Sequence, residues 1–373
     1  MSTGQLSARI QVTTDMPSDV QQQLEAMCSD LRRRQVKGSF PTAWMTVNLL
    51  LKLVSTARIQ SMDSLVEMVR SVGRSLELAA PREFCIGNVV RRVLHLIREE
   101  YSELPTQTLD HHIPADREQH EKVPGGRSMV TLLSQPASTP KSFGGTERDV
   151  KPFIVEGIRE LMDEIRHESD GIAAQSLDLV HTNEVILTLG ASVTVKNFLL
   201  RAAERRSFTV LLVESYPNHL RETQELSLVL SKAGIETILV PDQAVYALMS
   251  RVNKVLLSTL AVLANGGLVA QAGTRTICQA AKEWSVQVVV CTGIYKLSPL
   301  YPYDMEALVE LGDPSAVLAY DDPLMEKVHV VNPLQDYVPP HLISLYISNL
   351  GGHPPSYVYR IVLDHYDQED IKL

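Results

Sequence analysis

The chain has 373 residues, 45% of them apolar, and its 44 acidic and 35 basic residues leave a formal net charge of -9. The length suffices for roughly two or three compact units, and the acidic balance argues against nucleic-acid binding as the main function. No apolar run reaches the roughly 18 residues of a membrane helix, and the first residues lack the apolar core of a signal peptide. We therefore expect a cytosolic protein without a membrane span.

Cysteine usage is consistent with that compartment. The four cysteines lie far apart in apolar contexts: Cys28, Cys85, Cys278 and Cys291. This scatter predicts reduced thiols in the core rather than a disulfide framework or a zinc site. We expect no bound metal.

Apolar residues recur at helical spacing in the N-terminal part of the chain. Val20, Leu24, Met27 and Leu31 fall on one stripe, which predicts a helix over residues 15–36. Similar stripes predict helices over 42–59, 61–78 and 87–103. Helices in series that each carry one apolar face predict an N-terminal helical domain over residues 1–104.

The composition changes between residues 105 and 150. His, Pro, Ser, Thr and Gly dominate this stretch, and only a short apolar run interrupts them. Such a composition cannot bury enough apolar surface to offset the entropy of ordering the chain. We therefore predict a flexible linker or excursion over residues 105–150.

Residues 151–373 follow the pattern of an α/β domain, which begins with a connecting helix over 151–180. Short, nearly continuous apolar runs predict strands at 185–189, 208–214, 236–240, 255–258, 287–291 and 328–331. Helical spacing lies between them, at 194–204, 220–232, 244–251 and 276–284. Alternating strands and helices predict a doubly wound, Rossmann-like parallel sheet covered on both faces.

Three local features complete this prediction. The stretch 251–272 is predicted as a buried strand, a small-residue turn at 264–267 and then the start of a helix, the arrangement in which open α/β sheets build ligand or partner surfaces. A last helix is predicted over 342–350, ended by two glycines. The acidic end, 364–373, is predicted to be solvated.

The sequence lacks the common catalytic and nucleotide-binding motifs. After the first predicted strand it reads Leu189-Gly-Ala-Ser-Val-Thr194, with one glycine instead of the three of a dinucleotide fingerprint. Walker A, Gly-x-Ser-x-Gly and His-Glu-x-x-His patterns are also absent from the sequence. We expect no cofactor, and the residues alone predict a helical domain plus an α/β domain without a recognisable active site.

Several longer segments carry a family resemblance. They are residues 87–101, 230–236, 249–254, 263–267, 295–299, 336–340 and 347–352. In these segments, and nearly everywhere outside 105–149, the chain resembles the alpha, beta and delta subunit family of eukaryotic translation initiation factor 2B. That family is related to sugar-phosphate isomerases.

The resemblance implies a non-catalytic regulatory subunit of a guanine-nucleotide exchange complex in the cytosol. Such a complex exchanges GDP for GTP on initiation factor 2 and senses phosphorylation of that factor's alpha subunit. The implied partners are the alpha, gamma, delta and epsilon subunits of initiation factor 2B and initiation factor 2 itself, with no direct contact to nucleic acid or membrane. An apolar partner face would then be exposed on the isolated chain.

The alternative is an active aldose–ketose isomerase. In the related enzymes a catalytic Cys and Asp follow two strands of the α/β domain, and the resemblance places Gly190 and Leu260 at those positions. Their phosphate-binding Arg-Pro reads Tyr216-Pro217 here. Glycine and leucine cannot shuttle a proton, so the resemblance implies a lost active site. A vacated site that still senses a nucleotide or phosphosugar is a third possibility.

The resemblance also implies subunit contacts in the α/β domain. Small residues let two backbones approach, so one contact is expected at Asn265, Gly266, Gly267, Thr274 and Arg275, with a tight turn that needs glycine for its own geometry as the alternative. Asn183 and Thr209, at the edges of the first two strands, are expected near the delta subunit.

The 87–103 helix is a separate candidate for partner binding. Arg91, Arg92 and Arg98 form its basic face, which would suit an acidic partner. The alternative is a solvated face on which Arg and Glu pair at i, i+4.

Overall fold

The computed structural model describes residues 16–57, 61–102 and 150–373, except for the side chains of 306 and 307. Its first helices are α1 (Ser18–Arg32), α2 (Ser39–Thr56), α3 (Met62–Ala79), α4 (Phe84–Ser102), α5 (Lys151–Ala174) and α6 (Ser176–Leu179). The predicted N-terminal helices are confirmed. Residues 103–149 lie outside the described part, so the linker over 105–150 stays a prediction. Among the described helices, none is long and apolar enough to cross a membrane.

The apolar stripes of α1 to α5 face one another and form one core. Leu24, Leu50, Leu65, Ile97 and Ile158, one from each helix, are almost completely buried in it. Burial of each such side chain contributes about 1.5–3 kcal/mol to folding. This core therefore holds the N-terminal helices together as a unit, here called the helical unit.

Helix α5 belongs to two cores. Ile154 and Ile158, near its start, pack with the helical unit, whereas Ile172, near its end, packs with the first strands of the sheet. The predicted connecting helix thus joins the two parts of the chain through its own apolar face.

The remaining chain forms a sheet domain. Its strands are β1 (Val185–Leu189), β2 (Thr209–Val213), β3 (Glu236–Val240), β4 (Lys254–Ser258), β5 (Ala261–Val262), β6 (Leu268–Gln271), β7 (Gln287–Cys291), β8 (Gln335–Val338), β9 (Leu345–Ser348) and β10 (Gly351–His353). Its helices are α7 (Val193–Ala203), α8 (Leu220–Lys232), α9 (Val245–Leu248), α10 (Thr274–Glu283), α11 (Met305–Leu308) and α12 (Val358–His365). Seven strands form one sheet in the order β10-β9-β7-β4-β1-β2-β3, parallel except between β9 and β10.

Helices cover both faces of this sheet. Ile186 of β1 enters the same core as Phe198 of α7, whereas its neighbour Leu187 enters the core that contains Ile277 of α10. Successive side chains of a strand point to opposite faces, so nearly continuous apolar strands require cover on both sides. The doubly wound α/β prediction is confirmed.

A second, three-stranded antiparallel sheet has the order β5-β6-β8. It corrects the prediction for residues 251–272, because the small-residue turn joins β5 to β6 in a hairpin and does not lead from a strand into a helix. Helix α10 begins after β6 instead. A turn rich in Asn and Gly fits a hairpin equally well, and local sequence does not separate the two.

Two other predictions near the end of the chain are wrong. Residues 342–350 contain β9, parallel to β7, and not a helix. Residues 328–331 form no strand, and Val328 and Val331 are more than half exposed, at 53% and 56%. Short apolar runs are ambiguous between helix and strand, and only pairing with a neighbouring strand decides the outcome.

The acidic end of the chain also differs from its prediction. Asp370 is completely buried, and Tyr366 is 5% exposed. Ion pairs with arginines of the helical unit stabilise this segment, as described below. Charge alone predicted a solvated segment, because the sequence does not reveal where the opposite charges lie.

Candidate functional site

The three positions at which the resemblance places the isomerase residues meet at the carboxyl end of the large sheet. Gly190 follows β1, Tyr216 follows β2 and Leu260 follows β4, and these three strands are adjacent and parallel. The carboxyl end of such strands is where open α/β sheets bind ligands. The topology therefore places the predicted positions together, as an enzyme of this fold would need.

A side chain at Gly190 would be strained and would have to displace the Gln271 side chain. Gly190 is buried, its φ is 74°, and a Cβ built on it would overlap Oε1 of Gln271 at the end of β6. Gln271 thus occupies the space that a thiol at position 190 would take.

The other two positions supply neither a carboxylate nor a cation. Leu260 is half-buried, and its backbone N–H donates to the Val269 carbonyl at 2.9 Å. Tyr216 stands at the arginine position, and its backbone N–H donates to the Asp242 carboxylate at 3.0 Å. Proton shuttling between adjacent carbons needs a positioned acid/base group, and neither Gly190 nor Leu260 offers one.

Glu168 of α5 fills the carboxyl end beside β7. A Cβ on Gly293, just after that strand, would overlap the Glu168 carboxyl group. Burial raises the pKa of Glu168 to about 7, although the nearby Lys296 acts in the opposite direction. Lys296 is itself buried and donates to the Thr259 carbonyl at 3.1 Å. Glu168 and Lys296 thus occupy the carboxyl end of the sheet beside β7.

A pair of amides closes the carboxyl end beside β2. Asn218 and Asn332 exchange two side-chain hydrogen bonds of 2.9 Å each. The Asn332 side chain also donates to the Asp313 carbonyl at 2.9 Å. This network ties the long loop before β8 to the end of the large sheet.

The cysteines do not provide a nucleophile. All four are buried, and burial raises the pKa of Cys278 and of Cys291 to about 12. Thiols with such pKa values stay protonated at neutral pH, and the thiolate is the reactive form. The predicted core location of the cysteines is confirmed.

The predicted contact at Asn265, Gly266 and Gly267 is packed against the chain's own residues. A Cβ on Gly266 would lie 2.5 Å from the Pro355 carbonyl oxygen, and one on Gly267 would lie 2.6 Å from the Tyr337 hydroxyl. Asn265 Nδ2 donates to that hydroxyl at 2.8 Å. The geometry favours the tight-turn alternative, and a subunit contact at this turn stays a prediction.

Thr274 and Arg275 lie at the start of α10. The backbone N–H groups of Gly273 and Arg275 donate to the Asp336 carboxylate at 2.7 and 3.2 Å, so an acidic residue from β8 stabilises the positive end of the helix. Thr274 is buried, and its hydroxyl donates to the Gln271 carbonyl at 2.5 Å. Of the two predicted residues, Arg275 has the exposed side chain.

Asn183 and Thr209 lie at the opposite, amino end of the sheet. Asn183 is exposed with φ 64°, and Thr209 Oγ1 donates to the Glu236 carboxylate at 2.8 Å. These residues line an open cavity of about 490 Å³, together with Arg205 and Arg206. The structure therefore brings the two predicted residues to one open surface.

The strand that contributes Glu236 to that cavity also carries exposed apolar side chains. β3 is the edge strand of the large sheet, and its Ile238 and Leu239 are 45% and 37% exposed. An edge strand offers unpaired backbone groups as well as side chains to another chain. We refer to Asn183, Thr209, Glu236 and Ile238 as the open edge.

The basic face of α4 meets acidic groups of the same chain. Arg91 is 3% exposed, with Nη2 3.0 Å from the Glu77 carboxylate, and Arg98 Nε lies 2.8 Å from the Asp370 carboxylate. Arg92 lines an internal cavity between the helical unit and the sheet domain. Arg91 is therefore not available to another protein in this fold, whereas docking through Arg92 or Arg98 stays a prediction.

Sequence reasoning did not find Gln271, Glu168, Ile238 or Asp370. A buried glutamate within the apolar pattern of α5 was a weak signal for Glu168, because an ionisable residue at such a position needs compensation. Nothing local marks Gln271 or Asp370, whose partners are distant in sequence. The exposure of Ile238 depends on β3 being an edge strand, which the order of strands along the chain does not reveal.

The chain is similar to known proteins over nearly its whole length. The sequence model of the initiation factor 2 subunit family matches residues 35–355. The chain is 40% identical, over 380 residues, to translation initiation factor eIF2B subunit beta of Schizosaccharomyces pombe, which covers 93% of this chain and 96% of that protein.

Two solved structures are also similar. The crystal structure of eIF2B beta from Chaetomium thermophilum aligns with a TM-score of 0.70 at 29% identity, covering 98% of this chain and 97% of that one. A chain of the tetrameric eIF2B-beta2-delta2 complex from C. thermophilum aligns with a TM-score of 0.68 at 29% identity, covering 93% and 95%.

Proposed function

This chain belongs to the initiation factor 2 subunit family, and we propose that it is a regulatory subunit of an initiation factor 2B complex, in the place of the beta subunit. The observation that carries the proposal is the 40% identity to a beta subunit over 93% of the chain. In this role the chain catalyses no reaction. It helps to present initiation factor 2 to the subunit that exchanges GDP for GTP, and a cytosolic location is part of the proposal.

The filled carboxyl end supports a non-catalytic role. Gln271 and Glu168 lie where Cβ atoms of Gly190 and Gly293 would otherwise project. Substrate would have to displace both side chains, and it would then meet no acid or base at Gly190 or Leu260. The isomerase alternative is disfavoured for this reason, and so is a vacated site that still binds a phosphosugar.

The open edge is the proposed contact with a delta-type subunit. A beta-type chain similar to this one assembles with delta chains in the C. thermophilum complex. Exposed Ile238 and the cavity beside Asn183 and Thr209 give such a partner apolar area to bury and polar groups to pair. The alpha, gamma and epsilon subunits, and initiation factor 2 with its alpha subunit phosphorylated or not, complete the proposed set of partners.

Regulation in this proposal is a coupling between docking states. If phosphorylated and unphosphorylated initiation factor 2 dock differently on the assembled subunits, the difference in binding free energy shifts the complex between active and inhibited forms. The chain contributes surface to that equilibrium and no chemistry.

Native mass spectrometry of material captured from cells through a tag on this chain tests the proposal. We expect a large species with two copies of this chain, several other subunits and substoichiometric initiation factor 2. A lone homodimer or homohexamer would contradict the proposal and make isomerase assays the next step. Ile238→Asp should reduce recovery of the delta-type subunit, whereas Leu78→Asp, at an exposed leucine of α3, is the matched control.

A further inference from the structure

The last described residues connect the sheet domain to the helical unit. Helix α12 is fixed in the core of the sheet domain through Val358, Ile361 and Val362. Tyr366, just after it, is buried in the same core, and its hydroxyl donates to the Leu297 carbonyl at 2.6 Å. Residues 367–373 then run along α3 and α4. One end of this segment is thus anchored in each part of the chain.

Asp370 is the centre of the contact with the helical unit. Its carboxylate is completely buried and lies 2.5 Å from Arg70 Nη2 of α3 and 2.8 Å from Arg98 Nε of α4. A buried carboxylate is strongly unfavourable unless it is paired and hydrogen-bonded. Asp370 accepts hydrogen bonds from both guanidinium groups, so the position of this segment is set by two helices at once.

The neighbouring residues add backbone and apolar contacts. Arg91 Nε donates to the Ile371 carbonyl at 3.1 Å, and Leu373 packs against the core of the helical unit. The fit at Gly73 of α3 is close, since a Cβ there would lie 3.1 Å from Leu373 Cδ1. Charged, polar and apolar contacts on either side of Asp370 therefore hold the segment in one register.

We propose that residues 366–373 form a latch that fixes the orientation of α3 and α4 on the sheet domain. The ion pairs of Asp370 keep this latch closed. Release of Asp370 frees α3 and α4 to shift, while α5, which packs in both cores, and the sheet domain stay in place. Proteins docked on the two parts would then affect each other through the latch, because its closed state is compatible with only one relative orientation. The proposal rests on contacts within this chain and does not depend on the proposed function.

Hydrogen exchange on the full-length chain tests the latch. Asp370→Asn leaves two guanidinium groups without their shared carboxylate, so we expect amide exchange in α3, α4 and 366–373 to rise roughly tenfold. Exchange in β1 and β2 should stay unchanged. Glu369→Gln is the matched control, because Glu369 pairs with the same Arg98 but its side chain is 67% exposed.

Two outcomes would overturn the proposal. Equal exchange in Asp370→Asn and Glu369→Gln would mean that the buried ion pairs of Asp370 do not hold α3 and α4 in place. A uniform rise in exchange through the sheet would mean general destabilisation. If Asp370→Asn fails to fold, Leu373→Ala removes only the apolar end of the latch. That milder variant should give the same pattern, confined to α3, α4 and 366–373, and its absence would count equally against the latch.

Discussion

The two ends of the large sheet differ: side chains fill the carboxyl end, whereas the amino end is open. At the carboxyl end, Gln271, Glu168 and the Asn218–Asn332 pair fill the spaces between strands and loops. At the amino end, Asn183 and Thr209 line an open cavity of about 490 Å³. Ligands of this fold class bind at the carboxyl end. This chain therefore fills the end of the sheet at which such ligands bind and exposes the opposite end.

Polar side chains close the carboxyl end because the backbone there needs hydrogen-bond partners. Strand ends and helix starts leave backbone groups that need hydrogen-bond partners. In an enzyme, substrate and water satisfy many of these groups. Here Lys296 reaches the Thr259 carbonyl, and Asn332 reaches the Asp313 carbonyl. Replacing a substrate with internal partners leaves the fold intact and removes the chemistry.

A substitution at Gly266 should disrupt the packing of the small sheet, which lies beside the carboxyl end of the large one. Gly266→Ala should lower the free energy of unfolding by about 3 kcal/mol, because φ is 79° and the new Cβ would lie 2.5 Å from the Pro355 carbonyl. Gly234→Ala has a similar φ of 83° with open space around it, and should lose only about 1 kcal/mol. Urea denaturation measures both, and equal losses would show that Pro355 does not constrain the turn.

Glu168, at the carboxyl end of the large sheet, makes the free energy of unfolding depend on pH. Burial raises its pKa from 4.5 to about 7, so the folded chain binds this proton more tightly than the unfolded chain does. Stability from this group is therefore present below pH 4.5 and is lost as pH rises through 7, by about 2 kcal/mol between pH 5 and pH 8. Glu168→Gln should remove that loss in denaturation curves taken across this range.

Glu160→Gln serves as the control for that pH series. Glu160 is an exposed carboxylate of the same helix, α5. Its replacement should leave the slope of stability with pH as in the unaltered chain. An unchanged slope in Glu168→Gln would instead show that this carboxyl group titrates normally.

The open edge is tested by making it polar. Ile238→Asp should weaken binding of a delta-type subunit by about 30-fold, or about 2 kcal/mol, since an apolar contact is replaced by a charge that must be desolvated. Stability of the chain should stay within about 0.5 kcal/mol, because the side chain is already 45% exposed. Titration of the labelled partner measures the affinity, and Leu78→Asp should bind it normally. Normal binding by Ile238→Asp would move the contact away from the open edge.

The smallest effect is expected at Gly190. Gly190→Ala should cost about 1–2 kcal/mol through strain at φ 74° and overlap with Gln271. In a Gln271→Ala background we expect the cost to fall by about 1 kcal/mol, since that part comes from the overlap. A double-mutant cycle gives this difference, and simple additivity would show that Gln271 does not occupy the site. Gly190→Cys should not create isomerase activity, because Leu260 still supplies no acid/base group.

Much of the fold was predictable because it is local. The stripe that contains Leu24 and the apolar runs of β1 and β4 depend on spacing along the chain, and the structure confirms them. The identities of Gly190 and Leu260 were equally direct, since no conformation gives either side chain a titratable group. The fold class and the lack of a titratable side chain at Gly190 and Leu260 therefore follow from the sequence alone.

Only the tertiary structure decided how that fold is used. Gly266 approaches Pro355, Arg98 pairs with Asp370, and residues 345–348 join β7 as a strand instead of forming a helix. Each outcome depends on a partner far away in the sequence. Local propensity does not contain this information, because the free energy of a buried charge or an edge strand is set by the groups that pack against it.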